Sequence, residues 1–253
     1  MGWRIYAASA TGKSHLDKGI PCQDAFAFHA DGDVLVAVVC DGAGSAASSD
    51  VGSRLTADTV VRNLAAAWAQ QGDASATSEQ AVFELAAAAV LDARAALIAV
   101  AGAAQAELSS YAATLVGFVG DAERGWFFHI GDGLGVAEAA DAQTHAARVS
   151  APENGEYANE TYFVTGEAWR EHLRVLAVPY PVARLNLMSD GAMPFAMEKG
   201  NAGLYRPFID PVARYLASVD EDAGSRALFG TLDDPRTHGI TSDDKTLLIA
   251  LRV

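Results

Sequence analysis

Cysteine is scarce in this chain of 253 residues: Cys22 and Cys40 are its only two. Two cysteines cannot staple a domain through a disulfide framework, so a reducing, cytoplasmic setting is the expectation. Positive charge is scarce as well, with 18 lysines and arginines against 32 acidic residues and a formal net charge of -14. A chain so acidic lacks the basic face that a phosphate backbone requires, which argues against nucleic-acid binding. Long apolar runs are missing too. Charge-free stretches such as 108–120 fall short of the roughly 20 apolar residues of a membrane span. Residues 1–11 carry no run of signal-peptide length, and Met1-Gly2 is followed by Tyr6 where a myristoylation signal has Ser or Thr. No membrane association is expected.

What the chain has is core-forming material. Hydrophobic residues make up 51% and charged ones 20%, which excludes a disordered polymer. The length suits one domain over 1–253, without staples.

Short strand patterns open the chain at 4–9, 25–29 and 34–40, the last continuously apolar and β-branched as in a strand buried on both faces. Asp31-Gly32 between the second and third predicts a hairpin turn. Residues 49–70 carry apolar side chains at helical spacing. Thr77 and Gln80 then form a candidate capping box for an alanine-rich helix to about Leu108. Strand patterns return at 112–119, 125–130, 134–138, 173–178 and 185–188. Helices are predicted at 192–198, 210–218 and 221–229, and a strand at 246–253. Residues 72–78 and 150–159 read as loops. Strands, two helices, strands, helices and a last strand indicate an α+β layered domain.

One local pattern recurs. An apolar run ends in Asp-Gly at Asp41, Asp132 and Asp190; Asp243-Asp244 precedes the last strand, and Asp24 precedes the second. Turn chemistry accounts for Asp-Gly in a hairpin, which suits Asp132, and an Asp can cap a following helix, which suits Asp41 and Asp190. The functional reading is a carboxylate site on rigid strand ends, compensated by cations; oxygen-only ligands select Mg²⁺ or Mn²⁺. Zinc is not indicated, because the six histidines show no close ligand pair. A rival lies in Gly42-Ala43-Gly44-Ser45-Ala46-Ala47, which matches a dinucleotide fingerprint but leads into two helices where that motif needs a second strand.

At these residues the chain resembles the protein phosphatase 2C family, the metal-dependent serine/threonine phosphatases. CQDAF (22–26), VVCDGAGS (38–45), TLVGFVG with HIGDG (129–133), LMSDG (187–191) and SDDKTLLI (242–249) are similar to its motifs, in order, and GEYANETYF (155–163) looks like a bacterial branch. The resemblance implies a four-layer α–β–β–α sandwich, two antiparallel sheets flanked by helix pairs, with two Mn²⁺ or Mg²⁺ ions in a cleft at one end. It implies that Asp41 bridges the ions with the Gly42 carbonyl as a further ligand, that Asp190 and Asp243 hold one ion, and that Asp24 orients waters. A hydroxide between the ions would attack phosphorus with no phosphoenzyme. Asp132 is the residue for a third metal, and Pro194 stands where many members carry an Asp that helps to bind it. His15 stands where the family has a phosphate-gripping Arg; it or Lys18 would supply that contact. A phosphoprotein substrate and a cognate serine/threonine kinase are the implied partners. The other reading is a phosphatase-like regulatory module that binds a phosphoprotein with little or no turnover. Cys22 and Cys40 read as packing residues near the cleft.

Overall fold

The computed structural model describes residues 2–71, 78–141, 143–153 and 161–253. In chain order the elements are β1 (Trp3–Ala10), α1 (Lys13–Leu16), β2 (Ala25–Asp31), β3 (Val34–Cys40), α2 (Ser49–Ala69), α3 (Glu79–Ala104), β4 (Leu115–Gly120), β5 (Gly125–Ile130), β6 (Leu134–Ala139) and β7 (Arg148–Ser150). There follow β8 (Arg174–Val178), β9 (Val182–Met188), α4 (Met193–Ala196), α5 (Arg206–Leu216), α6 (Glu221–Leu232), α7 (Pro235–His238) and β10 (Lys245–Arg252).

Two five-stranded sheets form, in the orders β1-β10-β9-β6-β7 and β2-β3-β4-β5-β8. Every strand pair among the described residues is antiparallel. That pairing removes the dinucleotide reading, which needs a parallel β–α–β crossover after β3.

The period-2 alternation of strands builds the layers. In β3, Leu35, Ala37 and Val39 face the other sheet and pack with Val116, Phe118, Leu185, Leu187 and Leu248. Val36, Val38 and Cys40 face outward and are covered by Val60, Leu64, Val90 and Leu97 of α2 and α3. On the far side, Tyr6, Met188 and Ile249 are covered by Ile209, Leu216 and Leu228 of α5 and α6. The result is the α–β–β–α sandwich. By length and composition α3 could also cross a membrane, which the charge-free stretches did not suggest. Here its Val82, Ala86, Val90, Ala93 and Leu97 side chains are buried in the core.

Several boundaries differ from the sequence expectation. The β2–β3 turn is Gly32-Asp33, since Asp31 pairs with Val34 and Gly32 takes a φ of 55°. Thr77 lies outside the described residues; the cap of α3 is Ser78, whose side chain accepts from Ala81 N. That helix stops at Ala104 because Gln105 turns left-handed at φ 53°. The Asp132 turn is not a hairpin: β5 and β6 belong to different sheets.

His129 on β5 is fully buried. Its Nδ1 shares a hydrogen bond with Ser150 Oγ at 2.9 Å, and its Nε2 has no partner among the described residues. Burial, and then the charge of Arg174, push its pKa from 6.5 down to about 3. Between these values the unfolded chain binds the extra proton, so this histidine's contribution to stability is lost as pH falls from about 6.5 towards 3. Melting temperatures of wild type and His129→Asn at pH 7 and pH 4 check this. The wild type is expected to lose roughly 3 kcal/mol more than the variant on acidification.

Candidate active site

Strand ends from both sheets meet at one end of the sandwich, and their acidic residues share a cleft of about 360 Å³. Asp41 and Gly42 follow β3, Asp132 links β5 to β6, Asp190 follows β9, and Asp243 and Asp244 precede β10; all six line it. His15 and Lys18, from α1 and the turn after it, line the same cleft, as do Ser14 and Ser45. Asp24 does not line it. It sits behind the cleft with 5% of its surface exposed.

Each carboxylate is fixed by its neighbours. Thr114 clamps the residue carrying Asp41: its N–H donates to the Asp41 carbonyl at 2.8 Å, and its Oγ1 accepts from Asp41 N at 3.1 Å. Gly42 packs so closely that a Cβ there would lie 2.5 Å from the Gln23 carbonyl oxygen. Thr161 Oγ1 donates to Asp132 at 2.7 Å. Ser189 Oγ donates to Asp24 Oδ2 at 2.7 Å and accepts from Thr246 N at 2.9 Å, so one hydroxyl joins the ends of β9 and β10 to Asp24. Asp244 accepts from the backbone N–H groups of Gly12 and Gln23, each at 2.6 Å, and pairs with His15 Nδ1 at 2.9 Å. Neither Asp41 nor Asp190 is a helix cap: those positions belong to Ser48 and Ser189.

The electrostatics are those of crowded acids. Burial, then Asp24 and Asp190, hold the Asp41 carboxyl well above the usual range. Burial, followed by Asp132 and Asp243, raises Asp190 as well. Burial pushes Asp24 up to about 7, with Asp244 adding to the rise against the opposing Ser189 hydrogen bond. One oxygen of Asp24, Oδ1, is buried without a hydrogen-bond partner among the described residues. Crowded buried carboxyls and an orphaned carboxylate oxygen both mark missing positive charge, and the all-oxygen donor set suits a hard divalent cation. Among the described residues no three acidic, histidine or cysteine side chains converge on a single point. An ion in this cleft would therefore complete its shell with water, as Mg²⁺ commonly does. The residues present fit such ions.

Residues 11–233 match the Protein phosphatase 2C family. The chain belongs to the protein phosphatase 2C family. Serine/threonine-protein phosphatase 3 of Escherichia coli strain K12 is 29% identical to it over 260 residues, covering 99% of each chain. The solved catalytic domain of the serine/threonine protein phosphatase PstP, in complex with two manganese ions, shares the fold at a TM-score of 0.60 and 16% identity, over 99% of this chain and 98% of that one. PppA, described as a key regulatory component of T6SS in Pseudomonas aeruginosa, gives a TM-score of 0.63 at 17% identity, over 99% and 98%.

In this protein phosphatase 2C chain, sequence reasoning named the strand-end acids and His15 but missed the residues that hold them. Thr114, Thr161, Ser189 and Asp244 act across elements far apart in sequence. Each lies in or beside a quoted motif (Thr114 in TLVGFVG, Thr161 in GEYANETYF, Ser189 in LMSDG, Asp244 beside Asp243), but the motif did not show what the side chain holds. The GEYANETYF segment lies outside the described residues up to 160. Both thiols are poor nucleophiles here: burial, then Asp24, raises the pKa of Cys22 and of Cys40.

Proposed function

We propose that this protein hydrolyses phosphoserine and phosphothreonine on proteins, with two Mn²⁺ or Mg²⁺ ions held in the acidic cleft. The observation that carries the reading is the convergence of Asp41, Gly42, Asp132, Asp190 and Asp243 from separate strand ends onto one cleft that also holds His15 and Lys18. Asp41 would hold both ions, with the Gly42 carbonyl as a further ligand, and Asp190 and Asp243 would hold one of them; Asp132 lines the same cleft. Bound there, the ions supply an acidified water as nucleophile and neutralise the phosphoryl oxygens. Asp24 Oδ1, enclosed and unpartnered, is placed to accept a hydrogen bond from an ordered water. His15 and Lys18 draw the phosphate into a cleft whose own charge would repel it.

The state of several side-chain nucleophiles supports direct attack by water, without a phosphoenzyme. Ser14 Oγ donates to the Ser242 carbonyl at 2.8 Å, Thr161 donates to Asp132, and both cysteines are held protonated. The Escherichia coli relative supports the substrate class. A cytoplasmic setting and a cognate serine/threonine kinase complete the proposal. A binding module without turnover would have no use for this set of acids.

Acid-quenched turnover of a ³²P-labelled phosphothreonine peptide tests the reading. Mn²⁺-dependent phosphate release with no label on the protein is expected, and phosphotyrosine peptide should be a poor substrate. Label retained on the chain, or preference for phosphotyrosine, would overturn it.

A further inference from the structure

We propose that His15, oriented by Asp244, donates the proton required by the departing serine or threonine oxygen; the inference rests on the reading above and assigns a step within it. An alkoxide is a poor leaving group, and a positioned acid contributes typically 10²–10⁴-fold, of the order of one catalytic group. Of the described residues lining the cleft, His15 and Lys18 are the ones that can be cationic proton carriers. Lys18 is exposed, whereas His15 is held, with 12% of its side chain exposed.

The holding is specific. Asp244 is buried and its carboxylate is fixed by two backbone N–H groups, of Gly12 and Gln23. Its Oδ2 takes the third bond, from His15 Nδ1 at 2.9 Å. The helical turn carrying His15 is itself tied to the approach to β10, because Ser14 N and Oγ both donate to the Ser242 carbonyl, at 3.0 and 2.8 Å. Gly12 is needed for that approach, since a Cβ there would lie 2.3 Å from the Asp243 carbonyl carbon. With Nδ1 committed to Asp244, Nε2 is the ring nitrogen left for the cleft, and it makes no hydrogen bond among the described residues. A carboxylate on one nitrogen fixes the tautomer and supports the imidazolium, so the ring can give up the Nε2 proton while keeping its Nδ1 bond. The charged and titratable groups around it are Asp244, Asp243, Lys18 and Cys22, with Asp41, Asp132 and Asp190 across the cleft.

The step balances. Water forms a bond to phosphorus as the bond from phosphorus to the serine oxygen breaks. The electron pair goes to that oxygen, which takes the proton from Nε2. The attacking water releases its proton to solvent, from which His15 is reprotonated.

Leaving-group dependence separates a proton donor from a phosphate clamp. With saturating Mn²⁺, kcat and KM are measured for wild type and His15→Gln on p-nitrophenyl phosphate, whose phenolate departs unprotonated, and on a phosphoserine peptide. The expected result is a kcat loss on the peptide at least roughly 30-fold greater than on p-nitrophenyl phosphate, with KM changing alike for both. Asp244→Asn should reproduce the selective loss as a positioning residue; if that variant does not fold, His15→Gln alone decides. Equal losses on both substrates, or a loss confined to KM, would overturn the proton-donor role while leaving the phosphatase reading intact. A wild type that turns over neither substrate would overturn both.

Discussion

Replacing Asp41 with asparagine is expected to raise the melting temperature of the metal-free protein while removing its phosphatase activity. The two effects share one cause. Asp41 lies among Asp24, Asp132 and Asp190, and burial with these charges holds its carboxyl well above the ordinary value of 3.8. A raised folded pKa means that the native chain binds more protons than the unfolded one, so this contribution is complete at low pH and is lost as pH rises through the folded value. Asparagine has the same shape and no charge to lose. The gain in melting temperature should therefore grow from pH 5 to pH 8, at roughly 2–4 °C per kcal/mol relieved. The same substitution removes the acid proposed to hold both ions, and a loss of about 10³-fold or more in kcat/KM is expected. Mn²⁺ should raise the melting temperature of the wild type by more than that of the variant. Melting curves over pH, with and without Mn²⁺, check all three statements. A variant less stable than wild type without metal would show that the cleft carries no unbalanced charge.

Gly191→Ala is expected to be nearly as damaging through a purely steric route. A Cβ at Gly191 would lie 1.9 Å from the Asp244 carbonyl oxygen and 3.3 Å from the Asp243 Cβ. The first neighbour is backbone at the start of β10, which cannot rotate away as a side chain could. To accept the methyl group, the ends of β9 and β10 must separate, breaking the Ser189 links to Thr246 and Asp24. Asp190 and Asp243 would move apart with them. A loss of about 3 kcal/mol or more in stability is expected, with kcat falling further than the fraction unfolded explains. Gly102→Ala on α3 is the control, because a methyl group there would meet nothing within 4 Å. It should gain about 0.5–1 kcal/mol from helix propensity. Denaturant melts of the three proteins decide the matter; equal stability of Gly191→Ala and wild type would contradict the close approach.

The layers were legible because the core positions repeat with the period of their elements. Leu35, Ala37 and Val39 against Val36, Val38 and Cys40 is a two-faced strand in sequence and in structure. The strand-end acids were legible for a related reason, since an apolar run that stops at Asp-Gly marks where a rigid element delivers a carboxylate. Three of the elements of three or four residues, α1, α7 and β7, were too short to show a period. The switch between sheets at Asp132 was hidden because a hairpin and a sheet-crossing turn use the same Asp-Gly chemistry; Gly131, at φ 104°, packs against Thr114 and Tyr162 as the chain crosses over. The start of α5 was predicted at residue 210, whereas the helix begins at Arg206 with Pro207 in its first turn and Pro211 inside. Asp244 was named only as half of the acidic pair before the last strand, and its role as an anchor was not legible. Its importance comes from the N–H groups of Gly12 and Gln23, more than 200 residues away, and no local pattern announces such a contact.

The most direct measurement is phosphate release from a phosphoserine peptide by chelator-stripped protein as Mn²⁺ is titrated in, with the heat of binding followed in parallel. Activity should be absent at the start and should rise with the same saturation curve as the heat. Full turnover by the stripped protein in excess chelator would contradict the account, as would Mn²⁺ binding that leaves Asp41→Asn and wild type indistinguishable.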